Sequence, residues 1–293
     1  MKPAPFTYHR PDSVVEAVRL LGTMENAKVI AGGQSLVAMM NFRYAMPDHL
    51  IDIARLSELR GIAVDDAQVR IGATTRQREM EFSSILAKAA PLFEAGLRHV
   101  GHRQTRNRGT IGGSLAHADP AAELPAVCLA YDAEIEIIGQ AGSRLVPMQE
   151  FVAGFMSTAV GYDEILVGLQ FKRWPGGHGY SFQEYARRHG DFAVVGVAAL
   201  LSAGPDGLID RASLVLCGVG ERPLRLGDAE AILSGRPFDD ALVRRAAQIA
   251  ADIEPFEDIH GTSAYRRHLA RVLTERALRE AWERIEATAG VGA

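Results

Sequence analysis

The chain has little cysteine, since only Cys128 and Cys217 occur in its 293 residues. Both stand in apolar segments, and this setting predicts buried free thiols. An ordinary iron–sulfur cluster is held by four protein thiolates. The chain therefore cannot hold such a cluster by itself, and a cluster that exchanged electrons with it would belong to another chain.

Long apolar runs and a dominant charge are also missing. No stretch approaches the 18 apolar residues of a membrane-spanning helix, and the opening Met1-Lys2-Pro3-Ala4-Pro5 has no apolar signal segment. We therefore expect a cytoplasmic chain without membrane insertion. The 32 Lys and Arg nearly balance the 36 Asp and Glu, for a formal net charge of −4. This balance, without a basic cluster, predicts no nucleic-acid partner.

The common catalytic and nucleotide motifs are absent as well. The nearest approach to GxGxxG is Gly218-Val219-Gly220, where Pro223 replaces the third glycine, and no glycine is followed by Lys and Ser or Thr. No GxSxG or HExxH occurs. His99 with His102, and His117 with Asp119, lack a third ligand at a recognisable spacing, so we expect no metal site. A Rossmann dehydrogenase, a P-loop NTPase and a self-contained hydrolase are disfavoured.

The length and the 47% hydrophobic content allow two domains. Predicted helices and strands alternate along residues 1–58 and 59–176, including a helix from about Ser84 to Gly101 that runs through Pro91. A breaker cluster at 174–179 marks a boundary. Three strands and two amphipathic helices are predicted beyond it, the last helix over 263–287.

Two glycine pairs in similar settings are the main positive signal. Ala31-Gly32-Gly33-Gln34-Ser35 follows a short apolar run, and Thr110-Ile111-Gly112-Gly113-Ser114 follows Arg106-Asn107-Arg108-Gly109. Such turns expose backbone N–H groups that can bind phosphate oxygens without many Lys or Arg. Both pairs also have an ordinary explanation as structural turns. The adjacent hydroxyls of Ser35, Thr110 and Ser114 favour the two sides of a diphosphate clamp.

The first pair, with Leu36, Asn41-Phe42-Arg43 and Leu50-Ile51-Asp52-Ile53, resembles the first FAD loop of the flavoprotein subunits of molybdenum hydroxylases, the xanthine dehydrogenase family. The segment Arg106–Pro125 resembles the second FAD loop. Segments 187–193 and 264–278 are similar to the C-terminal half of these proteins. The resemblance covers nearly the whole chain. The family includes the medium subunit of aerobic carbon monoxide dehydrogenase and the flavoprotein subunits of nicotine and caffeine dehydrogenases.

This resemblance implies an α+β fold. A two-part FAD-binding domain of the PCMH type would cover residues 1–176, with subdomains of about 1–58 and 59–176. A smaller C-terminal α+β domain, with a short antiparallel sheet and helices, would cover 177–287. Main-chain N–H groups of 32–35 and 111–114 would hold the pyrophosphate of FAD.

The resemblance also implies a set of FAD contacts. Glu123 stands where the family has an acidic residue that binds FAD hydroxyls, and Phe192 stands where the carbon monoxide enzyme has Tyr beside the isoalloxazine. A Lys that contacts the flavin in xanthine dehydrogenase has no counterpart in Gln183-Glu184-Tyr185. No catalytic residue and no metal ligand are expected in this chain. The expected cofactor contacts are Val29, Ile30, Ala31, Gly32, Gly33, Gln34, Ser35, Leu36, Val100, Thr110, Ile111, Gly112, Gly113, Ser114, Glu123, Leu166 and Phe192.

The function implied is that of the FAD-carrying electron-transfer subunit of a heterotrimeric hydroxylase. A large molybdopterin-binding subunit would oxidise the substrate, and a small subunit with [2Fe–2S] clusters would pass electrons to FAD here; two heterotrimers can pair in such enzymes. Two other interpretations stay open. The chain can be an FAD oxidoreductase that works alone on its own organic substrate, or a nucleotide-binding assembly subunit without activity.

Overall fold

The structure is a computed structural model, and it describes residues 1–290. Its strands are β1 (Thr7–His9), β2 (Ala27–Ile30), β3 (His49–Asp52), β4 (Ile62–Val64), β5 (Gln68–Gly72), β6 (Glu134–Gly139), β7 (Gly142–Pro147), β8 (Val152–Gly154), β9 (Ser157–Thr158), β10 (Ile165–Lys172), β11 (Gly179–Ala186), β12 (Ala193–Ala203), β13 (Ile209–Cys217) and β14 (Leu224–Arg225). Its α-helices are α1 (Val14–Thr23), α2 (Leu36–Asn41), α3 (Gln77–Glu81), α4 (Ser84–Ala89), α5 (Leu92–Leu97), α6 (Arg103–Arg108), α7 (Ile111–His117), α8 (Glu123–Ala130), α9 (Met148–Phe151), α10 (Gly227–Leu233), α11 (Asp240–Ala251) and α12 (Ser263–Gly290).

The first part of the chain forms a three-stranded parallel sheet in the order β1-β3-β2. Helix α1 covers it with one apolar face, and the Ser13 side chain caps this helix by accepting from the N–H of Glu16 at 3.2 Å. The first glycine motif follows β2 directly and leads into α2. The motif therefore lies at the carboxyl end of a parallel strand, an edge where α/β sheets commonly bind ligands.

The second part is a five-stranded antiparallel sheet in the order β4-β5-β10-β6-β7, packed against helices from α3 to α8. The predicted helix through 84–101 is wrong, since α4 and α5 are separate helices. Proline disfavours the helical conformation of the preceding residue, and Ala90 has φ −150° and ψ 67°. Pro91 thus ends one helix and begins the next.

The C-terminal part is a four-stranded antiparallel sheet in the order β11-β12-β13-β14, with α10, α11 and α12. Ten consecutive residues of β12 are buried. Val195 and Val197 belong to the apolar core that includes α12, whereas Ala198 and Leu200 belong to the core that includes α8. This sheet is therefore covered on both faces and packs directly against the second part of the chain. The fold confirms the predicted α+β class; the domain limits at 1–176 and 177–287 stay a prediction.

Candidate functional site

A cleft of about 900 Å³ opens between the first and second parts of the chain, beside the connection from β11 to β12. Its walls come from segments 27–36, 100–123, 156–166 and 190–192. Ile111 is fully buried in the core and does not line the cleft. The structure brings together the other predicted contact residues, which are Val29, Ile30, Ala31, Gly32, Gly33, Gln34, Ser35, Leu36, Val100, Thr110, Gly112, Gly113, Ser114, Glu123, Leu166 and Phe192.

The first glycine motif presents free hydrogen-bond donors to this cleft. Gly33 has φ +71°, a left-handed conformation that glycine adopts at no steric cost. Beyond it, the N–H of Val37 donates to the Gly33 carbonyl at 3.1 Å as α2 begins. Within residues 1–290, the main-chain N–H groups of residues 32–35 meet no acceptor at hydrogen-bond distance. Four unpaired N–H groups beside a helix start form a binding site for an anion.

The second glycine motif is built differently from the first. It forms the first turn of α7, where Thr110 is the N-cap and its Oγ1 accepts from the N–H of Gly113 at 3.1 Å. The N–H groups of Ile111, Gly112 and Ser114 donate to the carbonyls of Thr75, Ala73 and Thr110 at 3.1, 2.9 and 3.1 Å.

Each of these N–H groups already has an acceptor in the chain itself, and the expectation that main-chain N–H groups of 111–114 hold the pyrophosphate stays a prediction. What this motif turns toward the cleft is the exposed Gly113 and the half-buried Ser114. No hydrogen-bond partner of the Ser114 hydroxyl is found in the described part of the chain. The second motif thus contributes one wall of the cleft and the hydroxyl group of Ser114, which can donate to a ligand.

The cleft carries little positive charge. Lys28 is the only Lys or Arg among its lining residues in the described chain, while Asp119, Glu123, Glu164 and Asp191 bring carboxyl groups. A diphosphate in this cleft would depend on the partial charges of N–H groups rather than on cationic side chains.

Glu123 is the first residue of α8 and is 7% exposed. Burial raises its pKa to about 7; the nearby Asp119 acts in the same direction, whereas its own backbone N–H and Arg106 oppose the rise. A buried carboxyl group with this pKa is about half protonated at neutral pH, and its protonated form can donate a hydrogen bond as well as accept one.

Apolar groups flank the polar centre of the cleft. Val29 and Ile30 end strand β2, Val100 follows α5, and Leu166 lies buried in β10. Phe192 lies on the connection from β11 to β12 and is 69% exposed at the rim. These positions would give a planar ring system several apolar contacts and one exposed aromatic neighbour.

Sequence reasoning missed one wall of the cleft. Residues 156–165, which include strand β9 and the turn at Gly161, line it although no motif marks them. The two-residue strand β9, made of Ser157 and Thr158, gives no hydrophobic period from which such a wall could be recognised. Met156, with φ +50°, is the one local irregularity in this segment.

No α-helix of the described residues is both long and apolar enough to cross a membrane. Over the same residues, no group of three or more His, Cys, Asp or Glu side chains is arranged to hold a metal ion.

A cleft with unpaired N–H groups at a strand–helix turn, a nearby carboxyl group and apolar flanks is typical of a dinucleotide-binding protein. Comparison with known proteins is more specific. Residues 4–173 match the family model described as the FAD binding domain in molybdopterin dehydrogenase, and residues 180–281 match the CO dehydrogenase flavoprotein C-terminal domain. The chain belongs to this family, and it is a flavoprotein subunit of the oxidoreductase class with FAD as its cofactor.

Relatives match over nearly their whole length. The 6-hydroxypseudooxynicotine dehydrogenase complex subunit alpha of Paenarthrobacter nicotinovorans is 38% identical over 290 residues, which are 98% of each chain. The carbon monoxide dehydrogenase medium chain of Hydrogenophaga pseudoflava is 37% identical over 286 residues, 97% of this chain and 99% of that one.

Solved structures agree with these relatives. A chain of the Hydrogenophaga pseudoflava carbon monoxide dehydrogenase lacking the Mo-pyranopterin moiety superposes with a TM-score of 0.94 at 38% identity, covering 97% of this chain and 99% of that chain. A chain of quinoline 2-oxidoreductase from Pseudomonas putida 86 gives a TM-score of 0.92 at 36% identity, covering 97% of this chain and 100% of that chain.

The residues present fit FAD. The four unpaired N–H groups of 32–35 are suited to a diphosphate, and the backbone at Gly32 leaves no room for a side chain beside them. The cleft volume, about 900 Å³, lies in the upper part of the range of cofactor pockets.

Proposed function

We propose that this chain is the FAD-carrying electron-transfer subunit of a molybdenum-containing hydroxylase. It would receive electrons from [2Fe–2S] clusters of a small partner subunit and pass them to an external acceptor. A large molybdopterin-binding subunit would oxidise the organic substrate, and two such heterotrimers can associate. The observation that carries the proposal is the set of unpaired N–H groups at residues 32–35, in a chain of this family.

Within the cleft, we assign the pyrophosphate to the N–H groups of 32–35 and a further phosphate contact to the hydroxyl of Ser114. Glu123 would bind sugar or ribityl hydroxyls from the floor of the cleft, and Phe192 would lie beside the isoalloxazine. When bound, the flavin can take up electrons singly and release them in pairs. The protein's own part is to hold the cofactor and surround it with apolar contacts.

The cysteines support the assignment of the iron–sulfur clusters to a partner. Cys128 and Cys217 are both fully buried, and burial raises the pKa of each thiol well above its ordinary value. A thiol of this kind is a poor metal ligand because the thiolate form is disfavoured.

Four relatives of this chain carry names that refer to pseudooxynicotine, carbon monoxide, caffeine and glyceraldehyde. Chains of this kind therefore accompany chemically different substrates. We propose that the choice of substrate is made by the molybdenum subunit and leaves no mark on this chain.

Purification of the complex from its natural host tests the proposal. The expected result is the visible spectrum of an oxidised flavin, about one FAD per copy of this chain, and molybdenum and iron in the same fractions. A flavin spectrum without molybdenum or iron would favour an oxidoreductase that works alone. A colourless, metal-free preparation would favour an assembly subunit without a cofactor.

A further inference from the structure

Glu184 is a carboxyl residue on the edge strand β11 of the C-terminal sheet, and no Lys or Arg of the described residues forms an ion pair with it. It lies in β11, and its side chain is 4% exposed. Its Oε2 atom is buried and has no hydrogen-bond partner among the described residues. Its Oε1 lies 4.0 Å from Nδ1 of His99. A buried carboxyl group without a partner is costly and calls for an explanation by function.

The sheet places Glu184 in a row with a glycine and a thiol. Glu184 is paired with Gly196 of β12, which is paired with Cys217 of β13. A Cβ atom at Gly196 would lie 2.5 Å from Sγ of Cys217 and 3.4 Å from the Phe182 ring, so the close packing of these side chains requires a glycine at residue 196. Phe182, on the same face of β11 as Glu184, packs into the core that includes α8.

This face of the sheet packs against α8, the helix that begins with Glu123 of the cleft. The N–H of Gly218, next to Cys217, donates to the carbonyl of Pro120 at 2.8 Å and ties β13 to the segment that precedes α8. Burial raises the pKa of Glu184 to about 8, and the charge of Glu123 adds to the rise. The protonated form of Glu184 is therefore favoured at neutral pH.

His99 connects this pair to solvent. Its side chain is 35% exposed, whereas that of Glu184 is almost fully buried. Burial lowers the pKa of His99, and the charges of His189 and Arg98 lower it further. The imidazole is therefore mainly neutral at pH 7 and can accept a proton on one nitrogen while it donates from the other. A separation of 4.0 Å to Glu184 can be bridged by one water molecule.

We propose that His99, Glu184 and Glu123 form a proton relay from the protein surface to the floor of the cleft. Glu123 would release its proton into the cleft, the protonated Glu184 would pass its proton to the resulting Glu123 carboxylate, and His99 would then return a proton from water to Glu184. The net change is one proton moved inward. No bond to carbon or sulfur changes, and Cys217 stays a thiol.

The relay rests on the proposed function, because it would supply the protons that FAD takes up on reduction. Iron–sulfur clusters deliver electrons without protons, whereas reduction of a flavin takes up protons. The cleft therefore needs a supply of protons that is separate from the electron donor. The other charged groups that act on the relay are Asp119 and Arg106 at Glu123, and His189 and Arg98 at His99.

The test compares Glu184→Gln with a matched control, Glu136→Gln, in the purified FAD-containing complex. Gln keeps the shape of the side chain but cannot carry the proton, and Glu136 is an exposed glutamate on strand β6. The first readout is FAD content, which we expect to be equal in the wild type and both variants. The second is the infrared carbonyl band of protonated carboxyl groups at neutral pH. We expect Glu184→Gln to reduce it and Glu136→Gln to leave it unchanged.

The third readout is the rate of flavin reduction, followed together with proton uptake by a pH-indicator dye. We expect Glu184→Gln to slow both by about 10²-fold, as when a general acid is removed. His99→Ala should slow them as well, and added imidazole should restore the rate. The imidazole rescue distinguishes proton transfer from a structural role. It also tests the relay if Glu184→Gln fails to fold.

Unchanged infrared and kinetic behaviour in Glu184→Gln, or a His99→Ala defect that imidazole leaves in place, would overturn the relay. Either result with normal FAD content would leave the proposed function standing. A wild-type complex without flavin would instead remove the proposed function itself.

Discussion

Arg106 holds Glu81 by two hydrogen bonds, from Nε to Oε2 at 3.0 Å and from Nη2 to Oε1 at 3.2 Å. Its Nη1 also donates to the carbonyl of Val100 at 2.9 Å. One largely buried guanidinium thus ties the start of the second motif to α3 and to the Val100 wall of the cleft. The position of that wall depends on the planar geometry of arginine.

Arg106→Lys keeps the charge but loses the two-point contact. We expect it to lower the free energy of unfolding by about 2 kcal/mol, because one Lys nitrogen cannot replace the two bonds to Glu81 and the bond to the Val100 carbonyl. Chemical denaturation measures the change. Arg78→Lys is the matched control, since Arg78 donates to the same carboxylate through one bond at 3.1 Å from a more exposed position. It should cost less than about 1 kcal/mol, and an equal loss in both variants would contradict the account.

The same ion pair predicts an acid dependence of stability. Burial acts to raise the pKa of Glu81, but hydrogen bonds and charge from Arg106, followed by those of Arg78, outweigh it and hold the pKa below its ordinary value of 4.5. The stabilisation is therefore complete above pH 4.5 and is lost as the pH falls through the lower pKa of the folded state. Denaturation of the wild type and Glu81→Gln at falling pH should show a difference that shrinks below this value. A difference that stays constant with pH would refute the assignment.

Glu184 predicts a pH dependence of stability with the opposite sign, and at higher pH. Its pKa is raised from 4.5 to about 8 in the folded protein, so the protonated form is the one that favours folding. Its contribution is present in full below pH 4.5 and is lost as the pH rises through about 8. Glu184→Gln should therefore become more stable than the wild type as the pH rises, by about 1 kcal/mol or more on the alkaline side. Equal pH profiles for the two proteins would contradict a buried, unpaired Glu184.

Gly113 allows a test of negative charge at the phosphate wall. A Cβ at this position would meet only the Thr110 hydroxyl, at 2.8 Å. The Asp and Asn side chains are nearly equal in size, so both variants place the same steric demand on this site. Because an acidic residue in the first turn favours a helix, Gly113→Asp should fold at least as well as Gly113→Asn. We expect the Asp variant to retain little FAD and the Asn variant to retain clearly more, measured as flavin absorbance per chain after gel filtration. Equal FAD content in the two variants would show that no phosphate lies near Gly113.

Much of the architecture could be predicted from the sequence, because the strongly periodic segments determine it. The glycine turn after Val29-Ile30 and the apolar stripe of α12 follow from local chemistry and appear where expected. The helix break at Pro91 could also have been found, since the restriction on Ala90 is a local rule.

Other features depend on tertiary contacts that no local pattern reports. The N–H groups of Ile111 and Gly112 are occupied because the chain returns beside Thr75 and Ala73, some 36 to 39 residues earlier. Gln183-Glu184-Tyr185 has the composition of a solvent-exposed strand. Glu184 is buried only because α8 and the C-terminal sheet pack against each other, a contact between distant parts of the chain. The resemblance to a known family located the cleft, whereas the state of its individual donors required the structure.

The central claim is that the main-chain N–H groups of residues 32–35 hold the pyrophosphate of FAD. An experimental structure of the FAD-loaded protein tests it most directly. The account predicts phosphate oxygens within about 3 Å of at least two of these nitrogens, with the N–H groups of Ile111 and Gly112 still bound to Thr75 and Ala73. A pyrophosphate held instead by the second motif, or one that lies outside this cleft, would contradict it.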